Sequence, residues 1–295
     1  MPPEAPFVPA SDVLGRPVGL APAPIRAGAY PTVDPSAITL MFSGGIDSTA
    51  LAITLADHYD KVHLVTYKNG YGHYHHHRPV ARVEELNQRL GNRFTHTVIS
   101  TKDYFDQILV NSVLDDYKDF RSGFVWFMGC KMAMHMRSAI YCLENGVRYM
   151  TDGSNVDTEE MVEQMLISLT LIHHFYEDLT VEFGTPVYNV RRAESKVLIR
   201  ELGLNMGYEV LDRHLCIQPT CLAGELYYLP YLMFNKRVKH DEGEVARFIE
   251  KKAEICNRIV RAYFAQKGVD ADALMADRRA QIAVQGPRAP IAAVG

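Results

Sequence analysis

Six consecutive residues, Ser43-Gly44-Gly45-Ile46-Asp47-Ser48, concentrate the groups that could do chemistry in this chain. Paired glycines let the backbone approach a ligand and take positive φ. An apolar run from Ala37 to Phe42 enters the turn, and a helix-forming segment from Ser48 to His58 leaves it. The unpaired N–H groups and the positive end of the helix dipole therefore converge on one spot. Ser43 and Ser48 add hydroxyl donors, and the occupant that suits such a turn is a phosphate chain. There is no G-x-x-x-x-G-K-[ST] string, so no lysine in the turn reaches a β- or γ-phosphate. An ionised Asp47 cannot donate to phosphate and is read as orienting the loop or a magnesium ion.

Other candidates are spread along the chain. Lys196 and Arg200 stand one helical turn apart, where two cations could neutralise a departing anion or form a solvated basic face. The cysteines are Cys130, Cys142, Cys216, Cys221 and Cys256. Three of them, Cys130, Cys216 and Cys221, fall in loops or at element boundaries, while Cys142 and Cys256 sit in helical patterns as small apolar residues. Three thiolates are one short of a closed four-cysteine site, so they could hold a [4Fe-4S] cluster with one iron open; alternatively Cys221 relays sulfur, or all three merely fill space. His73, His75, His76 and His77 crowd one loop, read as facing substrate and not as a metal site, because no companion ligands stand nearby in sequence.

These residues need a scaffold. The chain has 295 residues, 47% hydrophobic and 22% charged, with a net charge of −4 and a pI near 6.3. That is an ordinary globular composition, and the acidic balance argues against a protein devoted to gripping phosphate backbones. The sequence lacks an 18-residue apolar run and a secretion signal, and an odd cysteine count suits a reducing compartment, so a cytoplasmic location away from the membrane is expected. Residues 1–35 are rich in Pro and Ala and read as an extended arm. From Ile38 strands and helices alternate: strand Val62–Tyr67, helix Pro79–Leu90 ended by Gly91, strand Arg93–Ile99, helix Met132–Asn145, strand Val147–Met150. Such alternation means an α/β fold, a parallel sheet with helices on both faces. Residues 36–205 form this domain, and 206–295 hold a cysteine-containing loop, a helix over Glu242–Lys267 and a loose tail from Ala276. Asp157 is expected to cap a long helix carrying Met161, Met165, Leu169 and Ile172.

Ser43-Gly44-Gly45-Ile46-Asp47-Ser48 resembles the fingerprint of the PP-loop ATP pyrophosphatases. Further matches follow in order: Cys130-Lys131, then Asp152-Gly153-Ser154-Asn155-Val156-Asp157, then Lys196-Val197-Leu198-Ile199-Arg200 leading to Gly203-Leu204, and Cys221-Leu222-Ala223. Together they are similar to the ATP-dependent sulfur transferases that build the nickel-pincer cofactor of lactate racemase. Two departures stand out. Only the second cysteine of the family's Cys-x-x-Cys is present, as Cys130, and Cys216 is added five residues before Cys221.

The resemblance implies the parallel-sheet fold of adenine nucleotide alpha hydrolases with a smaller helical extension at the C-terminus. It implies that Phe42, Ser43, Gly44, Gly45, Asp47, Ser48, Asp152, Asn155 and Lys196 bind ATP. Asp47, Lys196, Arg200 and Cys221 would serve catalysis, and Cys130, Cys216 and Cys221 a [4Fe-4S] cluster. The implied cofactors are ATP, Mg²⁺ and that cluster. The reaction would adenylate a substrate carbonyl or carboxylate oxygen, release pyrophosphate and replace the oxygen with sulfur. Alternatives are a ligase that delivers ammonia to the same adenylate and a non-enzymatic adenine-nucleotide sensor. Expected partners are a small-molecule acceptor in preference to tRNA, a sulfur donor, and a second copy of the chain in a homo-oligomer.

Overall fold

Ala37, Ile38, Thr39 and Leu40 are all shut off from water, the mark of a strand covered on both faces. They belong to β1 (Asp34–Met41), the central strand of the computed structural model, which describes residues 30–204, 220–233 and 238–286. After β1 come α1 (Ile46–Ala56), β2 (Lys61–Lys68), β3 (His73–Tyr74), α2 (Pro79–Leu90) and β4 (Phe94–Ser100). Then follow α3 (Lys102–Ile108), α4 (Val113–Phe120), α5 (Phe124–Glu144), β5 (Val147–Asp152), α6 (Leu166–Asp178), β6 (Glu182–Gly184) and α7 (Arg192–Glu201). The last elements are β7 (Thr220–Cys221), α8 (Leu222–Met233), α9 (Glu242–Gln266) and α10 (Ala271–Gln285).

Among the described residues the main sheet has five parallel strands in the order β4-β2-β1-β5-β6. The chain first builds outward from β1 through β2 to β4, then returns to the other side of β1 to lay down β5 and β6. This reversal opens a crevice at the carboxyl ends of β1 and β5, where sheets of this kind take their ligands. Side chains alternate along β1, so Ile38, Leu40 and Phe42 face α1, α2 and α7, while Ala37 joins Val147 and Met150 of β5 in the opposite core with α3, α5, α6, α9 and α10.

Several expected boundaries move. The helix holding Cys130 and Lys131 starts at Phe124, eight residues before Met132, because Ser122-Gly123 supplies the break and the aromatic run behind it enters the core. No long helix begins at Asp157. Two short 3₁₀ turns, Val156–Thr158 and Val162–Gln164, precede α6, which starts at Leu166. Asn155 caps the first turn, and Asp157 instead accepts the Arg192 N–H at the start of α7. The segment after Cys221, read as loop, is helical from Leu222.

The expected loose tail from Ala276 is the body of α10, which the Asp270 carboxylate caps at its start. Leu274, Met275 and Arg278 point inward from it, and Arg278 donates to the carbonyls of Val147 and Thr180. Residues 1–29 of the expected arm lie outside the described residues, as does Cys216.

α9 is fastened to the domain by a charge. Lys252 and Asp116 are both fully buried, and the ammonium donates to Asp116 Oδ2 (2.6 Å), the Ile108 carbonyl (2.7 Å) and Ser112 Oγ (3.2 Å). All three donors are used, which is the condition for tolerating a charge in the dry interior. Lys252→Ala strands the Asp116 carboxylate with only Ser112 and the half-exposed Lys251. A loss of about 3 kcal/mol in urea unfolding is expected, and Lys252→Met combined with Asp116→Leu should recover most of it.

Candidate functional site

At the end of β1 the backbone turns through Gly44, whose φ of +74° is the left-handed conformation that a side chain would resist. Gly45 then starts α1 without a side-chain cap, leaving the first-turn N–H groups of the helix with no intrahelical acceptor. The loop is braced from within. Ser43 Oγ accepts the Gly45 N–H at 3.2 Å and lies 3.1 Å from Ser48 Oγ, and Thr49 Oγ1 donates to the Gly44 carbonyl at 3.2 Å. A second turn closes on it from β5. A Cβ on Gly153 would lie 3.0 Å from the Ser48 nitrogen, so glycine is what lets the two turns meet.

Between these turns lies a cavity of about 310 Å³. Phe42, Ser43, Gly45, Asp47 and Ser48 form one wall and Asp152, Gly153 and Ser154 the next. Thr66 and Tyr67 at the end of β2, Lys131 and Met134 on α5, and Gln164 close other sides. His73 and Cys221 complete the lining. These two face each other in the antiparallel β3–β7 pairing, which also aligns Tyr74 with Thr220. The expected histidine loop is thus partly strand, and it brings the C-terminal thiol to the phosphate turn.

The strongest electrostatic feature joins the expected Asp152 to Lys131, which the sequence reading left out of the site. Lys131 Nζ lies 2.5 Å from Asp152 Oδ2, with both side chains almost wholly buried. Asp152 Oδ1 accepts the Ser154 N–H at 3.0 Å. Burial pushes the Asp152 pKa up, but the Lys131 charge, the facing His135 and the Ser154 N–H outweigh it, and the carboxyl titrates below its ordinary range. His135 is driven to about 3 by burial and by Lys131, so it is neutral at ordinary pH.

The remaining expected residues fall as follows. Asn155 is buried behind the cavity, where it accepts from Asp157 N and donates to the Val190 carbonyl. Lys196 and Arg200 lie on α7, which packs on α1, and neither lines the cavity. Cys130 is buried on α5, one residue before Lys131, with Asn69 Nδ2 donating to its sulfur at 3.2 Å. Burial pushes its thiol up to about 12, and Cys221 is near enough to push in the same direction. Among the described residues no group of three or more His, Cys, Asp or Glu side chains could hold a metal ion. Of the three expected cluster ligands, Cys130 and Cys221 are described and Cys216 lies outside the described residues.

Lys131 and Thr66 were within reach of the sequence. A lone lysine in the apolar run from Phe124 to Met136 is a buried charge that must find a partner. Thr66-Tyr67 ends a strand whose carboxyl end belongs to the ligand crevice.

The family model for the queuosine biosynthesis protein QueC matches residues 36–124, from β1 to the first residue of α5. Among solved structures, a 4-thiouridine synthetase in complex with RNA and bound ATP is similar at 15% identity and a TM-score of 0.51. The match covers 78% of this chain and 53% of that one, so this chain spans about half that protein's length. NMN synthetase from Francisella tularensis is 15% identical over 76% of this chain and 84% of its own, with a TM-score of 0.43. The U34-tRNA thiolase NcsA from Methanococcus maripaludis, with its [4Fe-4S] cluster, is 16% identical over 75% and 73%, with a TM-score of 0.41. No curated protein matches the chain by sequence. What the chain shares with the 4-thiouridine synthetase is the fold, and the QueC match spans the Ser-Gly-Gly-x-Asp-Ser turn.

The Lys131–Asp152 pair generates a pH signature. Lys131→Met removes the largest influence opposing burial, so the Asp152 pKa rises above its unfolded value and the folded state binds a proton more tightly than the unfolded chain. The variant should be about 3 kcal/mol less stable than the parent at pH 7, and the gap should narrow as pH falls through the raised pKa toward 4. Denaturant melts at a series of pH values check this; a gap independent of pH would contradict it.

Proposed function

We propose that this chain is an ATP-dependent sulfur transferase of the AMP-forming kind. The observation that carries the reading is that the Cys221 thiol and the Ser43–Ser48 phosphate turn line the same cavity. The turn suits the pyrophosphate of ATP, held by N–H groups of α1 and the two serine hydroxyls. A carbonyl or carboxylate oxygen of the acceptor attacks the α-phosphorus, pyrophosphate leaves, and the oxygen becomes part of an adenylate. A sulfur nucleophile then bonds to the acceptor carbon, and the oxygen departs with AMP. Asp47, in the first turn of α1, orients the loop or a magnesium ion. Lys131 takes the electrostatic role inside the cavity, poised by Asp152 beside the turn. Lys196 and Arg200, outside the lining, act at the rim if they act in this reaction.

Cys221 is the thiol positioned to present sulfur. Cys130 would join it, with Cys216 as the third thiolate, if a [4Fe-4S] cluster is the sulfur-binding group. The partly closed cavity and the acidic balance of the chain favour a small-molecule acceptor over a tRNA. No described helix is long and apolar enough to cross a membrane.

Products decide the first half of the reading. ATP incubated with protein and acceptor candidates should yield AMP and pyrophosphate by ³¹P NMR, and Ser43→Ala or Asp47→Ala should lower the rate at least a hundredfold, within what one electrostatic site group contributes. ADP and phosphate would overturn it. Cys221→Ala decides the second half: AMP formation should persist while sulfur incorporation stops. Full turnover on ammonia in that variant would assign the site to a nitrogen ligase.

A further inference from the structure

β1 leaves the sheet at the residue before the phosphate turn, and the backbone there is not held by the ladder alone. The β1–β2 register ends at Met41 opposite Val65, and the last rung is the Phe42 N–H on the Val65 carbonyl at 2.8 Å. The next group, the Phe42 carbonyl, is taken by a side chain: Thr66 Oγ1 donates to it at 2.6 Å. His96 Nε2, on β4, lies 2.8 Å from the same hydroxyl. The Thr66 hydrogen is committed to a carbonyl that can only accept, so Nε2 must carry the proton and donate.

That assignment explains an otherwise costly residue. His96 is 4% exposed, and burial drops its pKa to about 4, so the ring is neutral. With the proton on Nε2, Nδ1 is a bare lone pair, buried with no hydrogen-bond partner. A phenylalanine would fill the space without this penalty. What the imidazole adds is one N–H, aimed at Thr66. The ring also meets Phe42 edge-on, with centroids 6.2 Å apart.

We propose that His96 and Thr66 are positioning residues acting in series, His96 Nε2–H to Thr66 Oγ–H to the Phe42 carbonyl, and that this relay across three strands sets the entry angle of the Ser43–Ser48 turn. Its effect on nucleotide rests on the reading that this turn holds ATP. The bracing of the turn itself does not.

The test uses the full chain without ligand. Amide hydrogen exchange at Phe42, Gly45 and Thr49, the hydrogen-bonded amides in and around the turn, should accelerate about tenfold in Thr66→Val and in His96→Phe. The double variant should match Thr66→Val alone, because a series relay is already broken by either change. His96→Gln, which keeps an N–H near the same hydroxyl, should restore most of the protection, as should Thr66→Ser. Thr66→Val is nearly isosteric, so it remains informative if His96→Phe does not fold. ATP binding by calorimetry should weaken in the same order. Unchanged exchange in Thr66→Val, or a double variant whose acceleration is the product of the two singles, would overturn the relay. If the parent protein binds no ATP while the exchange pattern holds, the nucleotide reading fails and the relay stands.

Discussion

A carboxylate almost hidden from water at the end of β5 sets the terms for everything around it. Asp152 cannot remain ionised there unless a cation comes to it, and Lys131 does so from the middle of α5. The pair therefore fixes the rotation of a 21-residue helix against the sheet. It also turns the backbone after β5, because the second carboxylate oxygen is spent on the Ser154 N–H. That turn brings Gly153 against the start of α1. One buried charge thus links the helix, the strand end and the phosphate turn, and a neutral residue at position 152 would release all three. Buried ion pairs seldom add net stability over apolar packing, so the arrangement is better understood as specifying geometry.

The same division of labour holds where α9 packs against α5 and α6. Apolar contacts among Phe175, Phe248, Phe264 and their neighbours supply the bulk of the packing of α6 and α9. They do not choose a register by themselves, since apolar surfaces slide with little penalty. Lys252, reaching Asp116, Ser112 and the end of α3, chooses it. Arg278 does likewise for α10, with backbone carbonyls in place of a carboxylate.

Segments whose form is decided locally were legible in the sequence. The Ser-Gly-Gly turn announces itself through a strand, two glycines and a helix start, and α2 follows from Pro79 at its head and Gly91 at its end. The α9 stripe of Val245, Phe248 and Ile249 is a helical period that needs no partner to be recognised, although Ile255 and Ile259, read into the same stripe, are only partly buried. Elements fixed by distant partners were not. α10 is rich in Ala and Arg and has a weak apolar stripe, and it is held by an Arg278 whose acceptor, Val147, lies 131 residues away. β3 and β7 are two residues each and exist only because they pair across nearly 150 positions. Lys131 was noted only as part of a motif and given no role, because a helix start was placed after it, which hid the fact that it is the one ammonium in an apolar helical run.

The two ends of the described chain also meet. Gln281 and Gln285, one turn apart on α10, take the N–H and the carbonyl of Val33 and act as a substitute strand at the foot of β1. Synthesis therefore runs against assembly: the first strand of the sheet is made well before the glutamines that finish pairing its foot, which stand 248 and 252 residues further along the chain. Until then β1 waits with part of its backbone open, in a nascent chain that already displays its apolar strands. Completion of a sheet that begins at residue 34 therefore waits on α10.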